Sequence, residues 1–344
     1  VTYLDPDRFF DQTTPGAHEW WYFDAISADG RDALVIVWYA GLPFDPAYGV
    51  PTLRHLRDPA RFPAPRALDH AAIGISWYRD GKTLAYALNG HGAEGFEHQA
   101  EPFSIRVGPS RFVREAGEYR LCVETPAVDG KRAIQADLRF IPAAETEAFE
   151  RDLGSPERPH HWILAASDCR VEGRVSVGRE SLEFRGRGYH DHNAGAEDLR
   201  VAIRRWEWGR VHRGRETEIF YTSEPTRGAS QSLWLTCVDG RPVTVREGVA
   251  TEASEPARNV FGVRHGARLT LSQGDEALIR RTGACVDDGP FYRRWLTEFS
   301  KREGRDTLAE SSAVVGISEV LAPGNLHKVW FNWMIPYRLK RLGP

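Results

Sequence analysis

Short stretches of strictly alternating apolar and polar residues, punctuated by Asp-Gly and Asn-Gly pairs, recur along this chain and confine it to an antiparallel β fold. Ile134, Ala136, Leu138 and Phe140 alternate with Gln135, Asp137 and Arg139; Ala267, Leu269 and Leu271 alternate with Arg268, Thr270 and Ser272. A period of two is that of a strand with one face buried. Asp29-Gly30, Asp80-Gly81, Asn89-Gly90, Asp129-Gly130 and Asp239-Gly240 each adjoin such a run. These pairs supply the positive φ angles of tight hairpin turns, so they predict sequential strands paired antiparallel.

Residues 33–39 and 219–221 are apolar on both faces, as expected of strands packed between a barrel interior and a second layer. The strand count suits two barrels or sandwiches. Residues 142–159, rich in Ala, Glu, Asp, Arg and Pro, break the pattern and are the expected linker, with a short helix over 143–153. The expected halves are therefore residues 1–150 and 160–344. Residues 41–65 hold six prolines, too many for strands, and are expected as a lid or a solvated loop. Residues 291–299 and 326–342 are expected as helices. The second carries Trp330, Phe331, Trp333 and Tyr337 beside Lys328, Arg338, Lys340 and Arg341. Such a tail suits peripheral contact with a membrane surface, or a helix capping a barrel, which Pro336 would kink or end.

Charge narrows the function. Forty-five Lys and Arg against 48 Asp and Glu leave a net charge of −3 over 344 residues, a balance that argues against a nucleic-acid binder and for a small or apolar partner. Cys122, Cys169, Cys237 and Cys285 lie far apart with no C-x-x-C pair, which fits free buried thiols in a reducing compartment better than disulfides or a structural zinc site. The acidic, polar N-terminus and the lack of a long apolar run favour a cytoplasmic protein. Eleven tryptophans suit either an ordinary β core or the lining of an apolar cavity.

The chemistry is expected in Gly188-Tyr189-His190-Asp191-His192-Asn193 and, soon after, Arg205-Trp206-Glu207-Trp208-Gly209-Arg210. On a strand, Tyr189, Asp191 and Asn193 point one way and His190 and His192 the other. His190 and His192 with Glu197 also have the spacing of a cupin-like metal site, the rival chemistry. A bland role is open to each residue: Asp191 closing a turn, His160 and His161 capping a strand start, Trp20, Trp21 and Tyr22 filling a core.

Together with His18-Glu19-Trp20-Trp21-Tyr22-Phe23-Asp24-Ala25 and His160-His161-Trp162, these segments resemble the carotenoid 1,2-hydratase (hydroxyneurosporene synthase) family. The specific part of the likeness runs from His160 to Arg210; the leading string resembles tandem lipocalin-like proteins more widely, including cofactor-free cyclases and Diels–Alderases. The resemblance implies an all-β chain of two tandem lipocalin-like halves, a terpenoid-like substrate, and acid catalysis without cofactor or metal. A His-x-Trp pair and a Tyr-x-Asp pair carry function in that family, matching His160 with Trp162 and Tyr189 with Asp191. The chain departs from the pattern at Ala194, where Trp is expected, and at Ala196-Glu197-Asp198.

Protonating an isolated alkene carbon requires a carboxylic acid that stays protonated near neutral pH. Asp191 is the expected donor, its pKa raised by an apolar cavity and its geometry held by Tyr189. Trp162, Trp206 and Trp208 are expected to face the cation, and His160 to position the water and accept its proton. Trp20, Trp21 and Tyr22 are expected to bind substrate. The same cavity also fits a cyclase that folds a flexible polyene, or a carrier that needs no acid.

Overall fold

The computed structural model describes residues 5–11, 13–144, 149–154, 158–302, 311–328, 334–335 and 338–342. The chain is all-β, in two sheets. The first holds β1 (His18–Ser27), β2 (Asp32–Ala40), β3 (Ala71–Arg79), β4 (Lys82–His91), β5 (Phe96–Ala100) and β6 (Phe103–Val107). It continues with β7 (Ser110–Glu115), β8 (Glu118–Pro126), β9 (Ala133–Pro142), β10 (Phe149–Asp152), β11 (His160–Val177) and β12 (Glu180–Gly195). The second holds β13 (Ile203–Arg213), β14 (Glu216–Pro225), β15 (Gln231–Val238), β16 (Arg241–Glu247) and β17 (Ala250–Arg258). It is completed by β18 (Arg264–Gln273), β19 (Glu276–Asp288), β20 (Tyr292–Arg302) and β21 (Val314–Leu321), while β22 (Lys340–Arg341) returns to the first sheet.

In the first sheet the order is β22-β4-β3-β2-β1-β12-β11-β9-β8-β7-β6-β5, with β10 on β11; in the second it is β16-β15-β14-β13-β21-β20-β19-β18-β17. Neighbours are antiparallel except β22 on β4. The hairpin turns fall as expected at Asp29-Gly30, Asp80-Gly81, Asp129-Gly130 and Asp239-Gly240, with φ of 50° and 72° at Asp80 and Gly81 and 50° and 82° at Asp239 and Gly240. Asn89-Gly90 is not a turn. It lies inside β4, where the Asn89 amide donates to Thr125 Oγ1 and to the Pro126 carbonyl at 2.7 and 2.8 Å, so a buried side-chain bond outweighs the turn preference.

Parity along the strands divides the core in three. Trp21, Phe23, Leu34, Ile36 and Trp38 join a cluster built from the first sheet alone. Phe220, Trp234, Leu271 and Phe299 fill the second sheet's own core. Between the sheets lies a third cluster, fed by Trp20, Tyr22, Val35 and Val37 from one side and Trp206, Trp208, Ile219 and Tyr221 from the other. Residues 33–39 and 219–221 are apolar on both faces because each strand serves two cores. A wholly buried ion pair crosses the divide: Arg210 of β13 donates to Asp24 of β1.

Several elements differ from expectation. The change of sheet falls at residues 196–202, which hold the short helix α2 (Leu199–Ala202), whereas residues 142–159 join strands of the first sheet. Of the helix expected over 143–153, residues 149–152 form β10 and residues 145–148 lie outside the described residues. The helix expected over 291–299 is the strand β20, whose Arg293, Trp295 and Thr297 side chains pack on one face while Arg294 reaches the other. Residues 41–65 do contain a helix, α1 (Pro46–Arg57), started by Pro46 and by Asp45, which accepts from the Ala47 N–H at 2.9 Å. In the tail, Pro323–His327 is a 3-10 turn and Lys340–Arg341 a strand; Trp330, Phe331, Trp333 and Tyr337 lie outside the described residues. Leu326, Ile335 and Leu339 pack with Leu42 and Ala72 against the first sheet. Cys169 and Cys237 are buried free thiols, but Cys285 is exposed. No helix among the described residues is long and apolar enough to cross a membrane.

Candidate active site

The strand register brings the motif residues together. On β12, Tyr189, Asp191 and Asn193 pair with Asp24, Tyr22 and Trp20 of β1, and Asp191 and Asn193 pair with Leu164 and Trp162 of β11. An irregularity in β11 between Leu164 and Ala166 inserts an extra residue beside Asp191, a device that re-aims side chains near sites. Gly188 lets the strand pass close to β1, since a Cβ there would lie 2.7 Å from the Asp24 carbonyl.

Asp191 is buried at the centre of this face. Its Oδ2 accepts from the Tyr189 hydroxyl at 2.7 Å and from the Trp162 indole N–H at 2.9 Å, and its Oδ1 from the Asn193 amide at 3.0 Å. Burial pushes its pKa up to about 7, against the lowering effect of the Trp162 and Tyr189 hydrogen bonds, and nearby Glu319 and Asp24 add to the rise. With Oδ2 already receiving two hydrogens, the acidic proton belongs on Oδ1. Tyr189 itself is held far above the usual phenol range, first by burial and then by the Asp191 charge beside it, so it stays a donor.

Asp191 opens onto a small inner chamber of about 30 Å³ lined by Trp20, Tyr22, Asn193, Trp206, Trp208, Tyr221 and Glu319. Trp20, Tyr22, Trp206 and Glu319 also line a larger cavity of about 230 Å³. Its wall is apolar over Val35, Val37, Phe44, Phe291 and Leu321, with Asp287, Asp288, Arg294, Glu319 and Arg338 as charged exceptions. Arg294 donates to Glu319 and to Tyr78, and Arg338 to Asp287. Phe44, from the proline-rich segment, stacks on Phe291 at 4.9 Å, so that segment does border the cavity.

The expected site residues separate accordingly. Tyr189, Asp191, Trp20, Tyr22, Trp206 and Trp208 gather at the chamber. Trp162 stands behind Asp191, its indole between Phe149 and Tyr221, and serves the carboxyl by its N–H rather than forming a wall of either cavity. His160 lines neither cavity. It stacks beside Trp206 at 5.9 Å, and its Nδ1 lies 3.4 Å from His18 Nε2. Burial, with His18 and His161 nearby, holds its pKa well below the usual histidine range, while the neighbouring Asn193 amide works against this. Trp21 faces the other way, stacked at 4.9 Å on His192 inside the first sheet, with its N–H on the Asp7 carbonyl.

Alternation also sends His190 and His192 to that opposite face. His190 binds Asp7 at 2.8 Å and the Tyr22 carbonyl, and His192 binds Glu19 at 2.7 Å and the Pro6 carbonyl. Glu197 pairs with Arg158, and Asp198 caps α2. The three residues of the rival metal site are thus engaged in separate pairs. Ala194 is buried on the histidine side of β12, away from the chamber.

Glu319, Arg294 and Tyr221 were not legible as site residues. Glu319 lies in Val314–Leu321, and the only signal is a carboxylate set among Ile317, Val320 and Leu321.

The carotenoid hydratase family model matches residues 58–343. The chain is 30% identical over 347 residues to a hydroxyneurosporene dehydrogenase of Chlorobaculum tepidum, covering 96% of this chain and 88% of the relative. It is 27% identical over 346 residues to an acyclic carotenoid 1,2-hydratase of Thiocapsa roseopersicina, covering 98% and 76%. An AttH protein of Nitrosomonas europaea shares the fold, with a TM-score of 0.63 at 13% identity over 94% of this chain and 96% of that one. With a match over most of its length, this chain belongs to the carotenoid hydratase family, a family of hydro-lyases.

Proposed function

We propose that the protein adds water across a terminal C=C bond of an acyclic carotenoid-like polyene, by protonation to a tertiary carbocation, with no cofactor. One observation carries this reading: a carboxyl whose pKa is pushed up to about 7 stands at the end of an aromatic cavity, its Oδ2 saturated by Trp162 and Tyr189. A group poised there is protonated in useful amount near neutral pH and is a strong enough acid to give the proton up. The cavity of about 230 Å³ takes in one end of a long polyene rather than the whole of it.

The Asp191 Oδ1 proton passes to the less substituted alkene carbon. Positive charge develops on the neighbouring carbon, where the faces of Trp20, Trp206 and Trp208 stabilise it without trapping it. Water adds to that carbon and loses a proton, and Asp191 is reprotonated. Trp162 and Tyr189 keep the carboxyl aimed throughout. His160 acts one residue removed, supporting Asn193 and through it Oδ1.

The test is mass spectrometry of the purified protein with an acyclic carotenoid in detergent micelles and ¹⁸O-labelled water, beside Asp191→Asn. Labelled hydrated product from the wild type alone is expected. An unlabelled isomer would point to cyclisation, loss of two hydrogens to the dehydrogenase chemistry one relative is named for, and unchanged substrate with retained binding to carriage.

A further inference from the structure

We propose that Glu319 is a second catalytic carboxylate, the base that takes the proton of the adding water, and that the inner chamber is the place where this water is held. The proposal deepens the hydration reading and rests on it.

Glu319 comes from β21, where it pairs with Trp208 of β13 and Arg294 of β20. It lines both the inner chamber and the outer cavity, so it stands where they join, on the sheet opposite Asp191. Two hydrogen bonds hold it, from the Tyr22 hydroxyl at 3.2 Å and from Arg294 Nε at 2.7 Å, and both fall on Oε1. Oε2 accepts none among the described residues.

A plain counter-ion role does not account for this arrangement. A guanidinium and a carboxylate frequently meet through two parallel N–H bonds. Arg294 instead meets one oxygen and turns its NH1 to the Tyr78 hydroxyl at 2.8 Å. Oε2 is thereby kept for the cavity side.

The chamber, about 30 Å³, has room for one or two waters, each needing two or more polar partners. Trp208 lines it and has an indole N–H with no partner among the described residues. A water in the chamber has Glu319 Oε2 and the Asn193 side chain as partners for its hydrogens.

The two carboxyls then divide the work. Asp191 Oδ1 gives its proton to carbon, the water oxygen bonds to the cation, and the O–H bond it breaks sends a proton to Glu319 Oε2. Relay through the remaining chamber water returns that proton to Asp191, and both groups are restored with one water consumed.

The experiment follows two products in D2O with the full chain and an acyclic carotenoid in detergent micelles: hydrated product, and deuterium gained by unreacted substrate. For Glu319→Gln the expected result is a fall in hydration of about 100-fold with deuterium uptake retained, because Asp191 still protonates the alkene and takes a proton back. Equal loss of both in a folded variant, or no loss of either, overturns the proposal. Should Glu319→Gln not fold with Arg294 unpaired, Glu319→Asp keeps the charge and shortens the reach. It is expected to lower hydration about tenfold while leaving exchange intact, and an equal fall in both again overturns the proposal. Failure of the underlying reading looks different: Asp191→Asn would retain both hydration and exchange.

Discussion

Tyr189 donates its phenolic hydrogen across 2.7 Å to Oδ2 of Asp191, two residues further along the same strand. Strand geometry alone puts the two side chains on one face. Burial does the rest, since it makes the ionised carboxyl the disfavoured form while the phenol cannot ionise at all in the working range.

The pH dependence of turnover follows from the acid form. Asp191 must be protonated, so activity is expected to level off just below a pH of about 7 and to fall about tenfold per unit above it. In Tyr189→Phe the carboxylate loses a hydrogen bond that stabilises its charged form, so the Asp191 pKa rises further and the falling limb moves to higher pH. The rate on the plateau is expected to drop about tenfold as the carboxyl loses its aim. A pH–rate profile of both proteins checks the sign; a limb shifted to lower pH in the variant contradicts it.

Stability carries the same signature with the opposite benefit. The folded state binds the Asp191 proton more tightly than the unfolded chain, whose carboxyl titrates near 3.8. The contribution of this group is therefore fully present below pH ~4 and is lost progressively as pH rises to about 7, a loss of about 4 kcal/mol once both states are ionised. Asn does not titrate. Asp191→Asn is expected to melt above the wild type near pH 8 and to match it near pH 4, while turnover falls by about 1,000-fold. Thermal unfolding across this range decides the matter.

The buried pair of Asp24 and Arg210 joins the two sheets. Removing one partner leaves a charge stranded in the core, so Asp24→Asn is expected to destabilise the protein by about 3–5 kcal/mol. Asp24→Asn combined with Arg210→Met should recover most of that loss. Denaturant unfolding of the single and double variants measures the coupling, and equal stabilities would remove the pair from any account of how the sheets are held.

Adjacent tryptophans are expected to behave differently. Trp20→Ala removes part of the wall shared by both cavities and should raise KM for the polyene with a modest loss of stability. Trp21→Ala empties a core position in the first sheet and should cost about 3–5 kcal/mol, with KM little changed in protein that stays folded. Kinetics and unfolding on the two variants separate the roles; a KM effect confined to Trp21→Ala would reverse the assignment of faces.

Local rules carried the site a long way. Period-two alternation placed Tyr189, Asp191 and Asn193 together and His190 and His192 apart, and the Asp-Gly turns marked the hairpins. The same alternation separates Trp20 and Tyr22 from Trp21, although all three were expected at the substrate. Helices were the weak point. In residues 291–299 the apolar side chains come in pairs, Phe291-Tyr292 and Trp295-Leu296, at helical spacing, and pairing with β19 on one side and β21 on the other overrode it.

The sequence by itself determined which residues share a face, because that follows from bond geometry within a few residues. It determined an antiparallel all-β chain and set Asp191 beside Tyr189 on one face of its strand. Only the tertiary structure decided which faces meet. Glu319 reaches the chamber because β21 pairs with β13 after a long excursion of the chain, and Arg294 meets it from β20, the next strand. Trp162 becomes a donor to Asp191 rather than a wall because β11 lies beside β12 on the far side from β1. Pairings of this kind depend on the packing free energy of the whole assembled core, which no short window of sequence contains.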